Sequence, residues 1–181
     1  MNIEFVPELQ ITKSTSSAIS ELLARSFPDF AGEYDGRDYF KQLPHYRLLA
    51  YEDQRLIGHL SIDLRVMNLN GQAVTVFGAI DFCVSPDRQG SGIGSELLRK
   101  FETVARDSNR VDFLFLVADN PAIYESMSYQ RTTVRTKWLK IDQHKNYGVG
   151  DELIADAFML YKAVSDTQWT DGELDLLGYM Y

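Results

Sequence analysis

The chain has 181 residues, 45% hydrophobic and 24% charged, enough apolar material for a buried core and too much for a disordered chain. Its 18 basic and 26 acidic residues leave a net charge of −8, which argues against nucleic acid or an anionic membrane as main partner and suits a cationic one. A single cysteine, Cys83, and three scattered histidines (His45, His59 and His144) exclude a disulfide framework and any metal cluster. Without an 18-residue apolar run or a signal-peptide pattern, one cytoplasmic domain over residues 1–181 is expected.

Residues 3–11 read as a strand, followed by a helix capped at Ser14, with Ala18, Ile19, Leu22 and Leu23 at helical spacing and Pro28 ending it. An acidic loop carrying Asp29, Glu33 and Asp35 comes next. Strands follow over residues 46–51 and 56–66 around the polar turn Glu52-Asp53-Gln54. Asn70-Gly71 is a hairpin signal, because a type I′ turn needs positive φ at both central residues. It returns the chain along a buried strand over residues 73–84.

After a glycine-rich turn, Ile93, Leu97, Leu98, Phe101 and Val104 mark an amphipathic helix. Residues 111–117 form a short apolar strand, and Pro121 opens a short helix ending near Met127. The last expected strands are residues 132–141 and 157–163. Residues 164–181 hold Trp169, Leu174, Leu176, Leu177, Tyr179 and Tyr181, and are expected to pack back on the domain as a tail. Residues 142–181 carry eight acidic residues, Asp156 among them, against Lys145 and Lys162, which reads first as a solvated acidic face.

The segment richest in chemistry is Val84-Ser85-Pro86-Asp87-Arg88-Gln89-Gly90-Ser91-Gly92-Ile93-Gly94. Glycines let backbone N–H groups approach an anion, and the helix behind them adds its positive end, so a phosphate or pyrophosphate is the natural occupant. A P-loop needs Gly-Lys-Ser/Thr, and no lysine follows here. A dinucleotide fingerprint over Gly90 and Gly92 meets Ser95 in third place, and the strand ends too early.

Gln89-Gly90-Ser91-Gly92-Ile93-Gly94 resembles the acyl-CoA motif Gln/Arg-x-x-Gly-x-Gly/Ala of the GNAT N-acetyltransferases, set between a Val-x-Pro strand end and an amphipathic helix. Asn120-Pro121-Ala122-Ile123-Tyr124-Glu125-Ser126-Met127-Ser128-Tyr129 is similar to that family's Asn-x-x-Ala-x-x-Tyr-x-x-x-Gly-Phe segment, shortened, with Ser128-Tyr129 in place of Gly-Phe. The resemblance covers residues 46–130 well. It implies an α/β (α+β) GNAT fold, a mixed, mostly antiparallel sheet of six to seven strands flanked by helices. It further implies acetyl-CoA as acyl donor, with no metal.

In such a protein the backbone of Phe82, Cys83 and Val84 would pair with pantetheine. Gln89, Gly90, Ser91, Gly92, Ile93 and Gly94 would cradle the pyrophosphate, helped by Asn120. An amide near Val84 would hold the oxyanion, and Tyr124 would protonate the departing thiolate. The base is open. Asp81 is the one acid on the central strand; by strand alternation it faces away from Ile80 and Phe82, and a structural carboxylate is the competing reading. His59, among apolar neighbours, reads as a satisfied core histidine.

The layout also resembles aminoglycoside 2′-N-acetyltransferases, in which a terminal carboxylate lies near the substrate amine; Tyr181 would supply it here. Segments from Tyr46-Arg47 onward and from Trp169 to Asp175 are similar to nodulation N-acyltransferases. The implied acceptor is a small cationic amine such as an aminoglycoside or amino sugar, drawn by Asp29, Glu33 and Asp35. The alternatives are transfer of a longer acyl chain to an amino sugar and a non-catalytic acyl-CoA sensor. No nucleic acid or membrane partner is expected, and a homodimer is compatible with the exposed strands of such a fold.

Overall fold

Apolar spacing and a few tight turns decide most of the elements. The computed structural model describes residues 1–154 and 157–181, so Asp156 of the acidic stretch lies outside it. The described residues fall into two compact units, the first Met1–Asp63 with Ile80–Phe101, the second Leu64–Ala79 with Glu102–Tyr181.

In the first unit β1 (Asn2–Pro7) is followed by a 3-10 turn and by helix α1 (Lys13–Ser26). The cap of α1 is Thr12, whose side chain accepts the Thr15 N–H, rather than the expected Ser14. Its buried face, Ile19, Leu22 and Leu23, packs with Tyr34, Leu49, Leu56 and Cys83. A second 3-10 stretch, Pro28–Tyr34, leads toward β2 (Tyr46–Glu52), which pairs antiparallel with β1 and with β3 (Arg55–Leu69). Asp53 and Gln54, at φ 48° and 67°, make the β2–β3 turn. β4 (Gln72–Val84) carries the chain into the glycine turn, and helix α2 (Ile93–Ser108) follows. Gly58 permits close packing, since a Cβ there would lie 2.9 Å from Leu97 Cδ1.

In the second unit, β4 runs parallel to β5 (Phe113–Ala118), the pairing covering Val76–Gly78. Helix α3 (Ala122–Glu125) and β6 (Gln130–Thr132) come next. β7 (Arg135–Asp142) and β8 (Lys145–Leu153) form a hairpin, and β9 (Phe158–Ala163) lies between β5 and β6. β10 (Glu173–Tyr179) is inserted between β3, antiparallel, and β7, parallel. Trp169 stacks on Tyr161 at 4.1 Å and meets Phe113 edge-on at 5.2 Å. The core here includes Met67, Val76, Phe113, Phe115, Leu174 and Leu176.

The mixed sheet flanked by helices is the expected fold class. Among the described residues the sheet also takes in residues 145–153 and part of the tail, whose exposed or irregular pattern gave no period-2 signal. Among the described residues no helix is long and apolar enough to cross a membrane.

Candidate active site

The first unit holds the glycine turn. Ser85 is buried, its N–H donating to Ile57 O at 2.8 Å and its hydroxyl to Asp87 Oδ1 at 2.6 Å. Arg55 grips the same carboxylate with two bonds of 2.8 and 2.9 Å, and these partners hold Asp87 well below the ordinary carboxylate range. Arg88 pairs with Glu52. The turn is thus pinned to the β2–β3 corner before any ligand arrives.

Gly90 and Gly92 have φ of +76° and +87°, and a Cβ on either would meet no described atom within 4 Å. Backbone conformation, not crowding inside the protein, demands glycine here. The Glu96 N–H bonds to Gly92 O, so the N–H groups ahead of it belong to the open first turn of α2, where an anion is favoured. Gln89, Ser91 and Gly92 are exposed and Ile93 is buried.

Asp81 departs from the expected alternation. Its φ is +51°, a left-handed conformation uncommon outside glycine, so side-chain direction cannot be counted by twos through this point. The Tyr34 hydroxyl donates to Asp81 Oδ1 at 2.9 Å, and His59 Nδ1 lies 2.9 Å from Asp81 O. A carbonyl only accepts, so Nδ1 carries the proton. His59 Nε2 then accepts from Arg47 Nη1 at 3.2 Å and from the Ser61 hydroxyl at 3.3 Å.

Burial pushes the Asp81 carboxyl up to about 6, against Tyr34, the Arg47 charge, the Phe40 N–H and Lys41, which favour the anion. Burial and then Arg47 push His59 down to about 3, so it is neutral at physiological pH. On the same strand, Phe82 and Val84 are half-buried, while burial raises the thiol of Cys83 to about 12, which makes it a poor nucleophile. In the neighbouring loop Asp29 and Asp35 are exposed, whereas Glu33 is engaged by Arg37.

The second unit holds Asn120, Tyr124 and Tyr181. Asn120 is exposed, and its Oδ1 accepts the Ala122 N–H at the start of α3. Ser128, at φ +67°, takes the left-handed conformation for which a glycine is usual. Tyr124 is half-buried with its ring 5.8 Å from that of Tyr129, and burial raises its hydroxyl to about 12. The ring of Tyr181 lies against Gly78, where a Cβ would come 2.0 Å from its Cζ. The Arg65 guanidinium sits 4.4 Å over Tyr179 and 4.5 Å over Tyr181, donating to Tyr179 O at 2.7 Å.

The first unit therefore brings together Asp81, the acidic loop and the strand entering the glycine turn. Sequence reasoning missed Tyr34, Arg47 and Arg55; an arginine in an apolar strand, as Arg47 is, was the available signal. Among the described residues no group of three or more His, Cys, Asp or Glu could hold a metal ion.

The pattern of the Acetyltransferase (GNAT) family matches residues 16–126, more than half of the chain, and the protein belongs to that family. It is an acyl-CoA-dependent N-acetyltransferase. The GNAT family N-acetyltransferase YhbS from Escherichia coli, solved with CoA, is similar at 15% identity and TM-score 0.65, over 97% of this chain and 88% of that one.

A GNAT family acetyltransferase from Brucella melitensis, solved with acetyl-CoA, is 17% identical at TM-score 0.59, over 96% and 94%. Aminoglycoside 6′-acetyltransferase type Ii is 15% identical at TM-score 0.61, over 93% and 100%. Longer chains match too, among them GCN5-related N-acetyltransferases from Kribbella flavida and Anabaena variabilis, and the chain spans 33–34% of their length.

Proposed function

We propose that the protein acetylates a primary amine of a small acceptor by direct attack on acetyl-CoA, with Asp81 as general base and Tyr124 as proton donor. The observation that carries this reading is Asp81 itself, a carboxyl held by Tyr34 at 2.9 Å on the strand that runs into the glycine turn. The turn from Gln89 to Gly94 takes the pyrophosphate, and Phe82, Cys83 and Val84 offer backbone to pantetheine.

Asp81 takes one proton from the acceptor ammonium, and the freed lone pair forms the C–N bond at the thioester carbonyl. The Val84 amide stabilises the oxyanion as the C–S bond breaks. A hydroxyl pushed up to about 12 lies well above a thiol near 8.5, so a free phenolate is disfavoured. Tyr124 therefore gives its proton to sulfur while taking the second nitrogen proton, and the phenol is restored as the amide forms.

For the acceptor, an aminoglycoside or amino sugar is favoured by the net charge of −8 and by the exposed Asp29 and Asp35. The likeness to an aminoglycoside 6′-acetyltransferase is in the same direction. Calorimetry with acetyl-CoA, then thiol release against aminoglycosides, glucosamine, polyamines and a lysine peptide, tests this. Binding with release on one amine class is expected. Binding without release on any amine removes the catalytic reading, and no binding removes the pyrophosphate cradle.

A further inference from the structure

The most deeply buried polar cluster of the first unit is unused by that chemistry. Arg47 and His59 are both 0% exposed. Arg47 donates to Glu8 at 2.7 and 3.1 Å, to Asp38 O at 2.7 Å and Oδ1 at 3.1 Å, and to His59 Nε2 at 3.2 Å. Glu8 precedes α1, Asp38 lies before β2, and His59 is on β3. A cation this deep needs such compensation, yet an apolar residue would fill the space more simply.

The cluster ends at Asp81. A left-handed backbone at a non-glycine residue costs free energy and persists only where its surroundings hold it, its carbonyl included. His59 Nδ1–H donates to that carbonyl at 2.9 Å. Arg47 can only donate, so its contact with Nε2 fixes the tautomer that places the proton on Nδ1. The Tyr34 hydroxyl in turn donates to the carboxylate at 2.9 Å. Tyr34 is itself anchored, its carbonyl accepting from Ser20 Oγ at 2.6 Å and its ring lying in the α1 core.

We infer that His59 and Tyr34 are positioning residues of the acetyl transfer: His59 holds the left-handed backbone turn at Asp81 through its Nδ1–H, and Tyr34 orients the Asp81 carboxylate and sets its proton affinity. This rests on Asp81 acting as base. The groups facing the carboxylate are Tyr34 and the Phe40 N–H, Lys41, Arg47 on β2 and Cys83 on its own strand, while His59 on β3 meets the Asp81 carbonyl. Tyr34 is the one that can be altered by removing a single oxygen.

The test is the pH profile of kcat/KM, whose acid limb reports the free enzyme's base. The Tyr34 bond favours the carboxylate, so its loss raises the proton affinity of Asp81. In Tyr34→Phe the acid limb is expected to move up by about one pH unit, the worth of a hydrogen bond to a charged group. Asp81→Asn is expected to abolish the limb. If Asp81→Asn abolishes it and Tyr34→Phe leaves it in place, the positioning role of Tyr34 is overturned while the base stands. If Asp81→Asn leaves the limb unchanged, the base reading falls first.

His59→Gln keeps one donor and one acceptor, and His59→Leu keeps neither. A displaced base costs ~100-fold in kcat, expected for Leu and largely rescued by Gln, at unchanged KM for acetyl-CoA. Equal kcat in the two folded variants overturns the part given to His59. Should the Leu variant not fold, Tyr34→Phe decides alone.

Discussion

Asp81 and Tyr124, the proposed base and proton donor, are both partly buried, and their surroundings differ in kind. Around Asp81 burial raises the carboxyl only to about 6, because Tyr34, Arg47, the Phe40 N–H and Lys41 all favour the anion. Around Tyr124 burial is the one resolved influence, and it raises the hydroxyl to about 12. A base must exist in both protonation states near neutral pH, so the desolvation of its anion has to be offset. A donor must stay protonated until the transition state, so desolvation alone serves it. The polar groups around Asp81 in the first unit are what the proposed base requires.

That contrast breaks most severely at Arg47. Replacing it with methionine fills similar space but leaves Glu8, Asp38 and His59 without their shared donor. Removing one partner of a buried ionic cluster costs about 3–5 kcal/mol, read as a lower urea midpoint at unchanged slope. A loss under about 1 kcal/mol, the range of exposed pairs, would mean that the cluster is solvated and the polar side of the comparison is illusory.

The donor side is sharpened by Tyr124→Phe. Turnover should fall about 100-fold, the lower range for one general acid or base, while acetyl-CoA affinity by calorimetry and the unfolding midpoint stay put. The variant should also keep the acid limb of the pH profile, since that belongs to Asp81. Unchanged turnover on every accepted amine would return Tyr124 to a packing role on α3.

These two regions were not equally legible in the sequence. Asn70-Gly71 gave its hairpin outright, and both residues have positive φ, 50° and 87°. The spacing of Ile93, Leu97, Leu98 and Phe101 gave α2, with all four buried. The Asp81 environment was hidden for a physical reason. A left-handed residue breaks the period of two without changing the residues that display it, and Arg47 meets partners from positions 8, 38 and 59, which no local window joins. β8 was invisible because nearly all its residues are exposed. Its Gly148, at φ +94°, donates to the Asn146 side chain at 2.7 Å instead of continuing a regular edge.

The smallest expected effect lies beside Tyr124 and has the opposite sign. Tyr129 is buried, and its hydroxyl has no hydrogen-bond partner among the described residues. Its ring is wedged between Tyr124 at 5.8 Å and the Lys162 ammonium, also at 5.8 Å. The family pattern that this segment resembles has phenylalanine there. An unsatisfied buried hydroxyl is a net cost, so Tyr129→Phe keeps the ring contacts and removes the penalty. A gain of about 1 kcal/mol is expected, which raises Tm by about 2–4 °C in a chain of this size. Burial of Tyr124 is not relieved by the change, so turnover should hold within about twofold. A lower Tm would show that the hydroxyl has a partner, such as an ordered water, and that this side also spends polar groups on its proton donor.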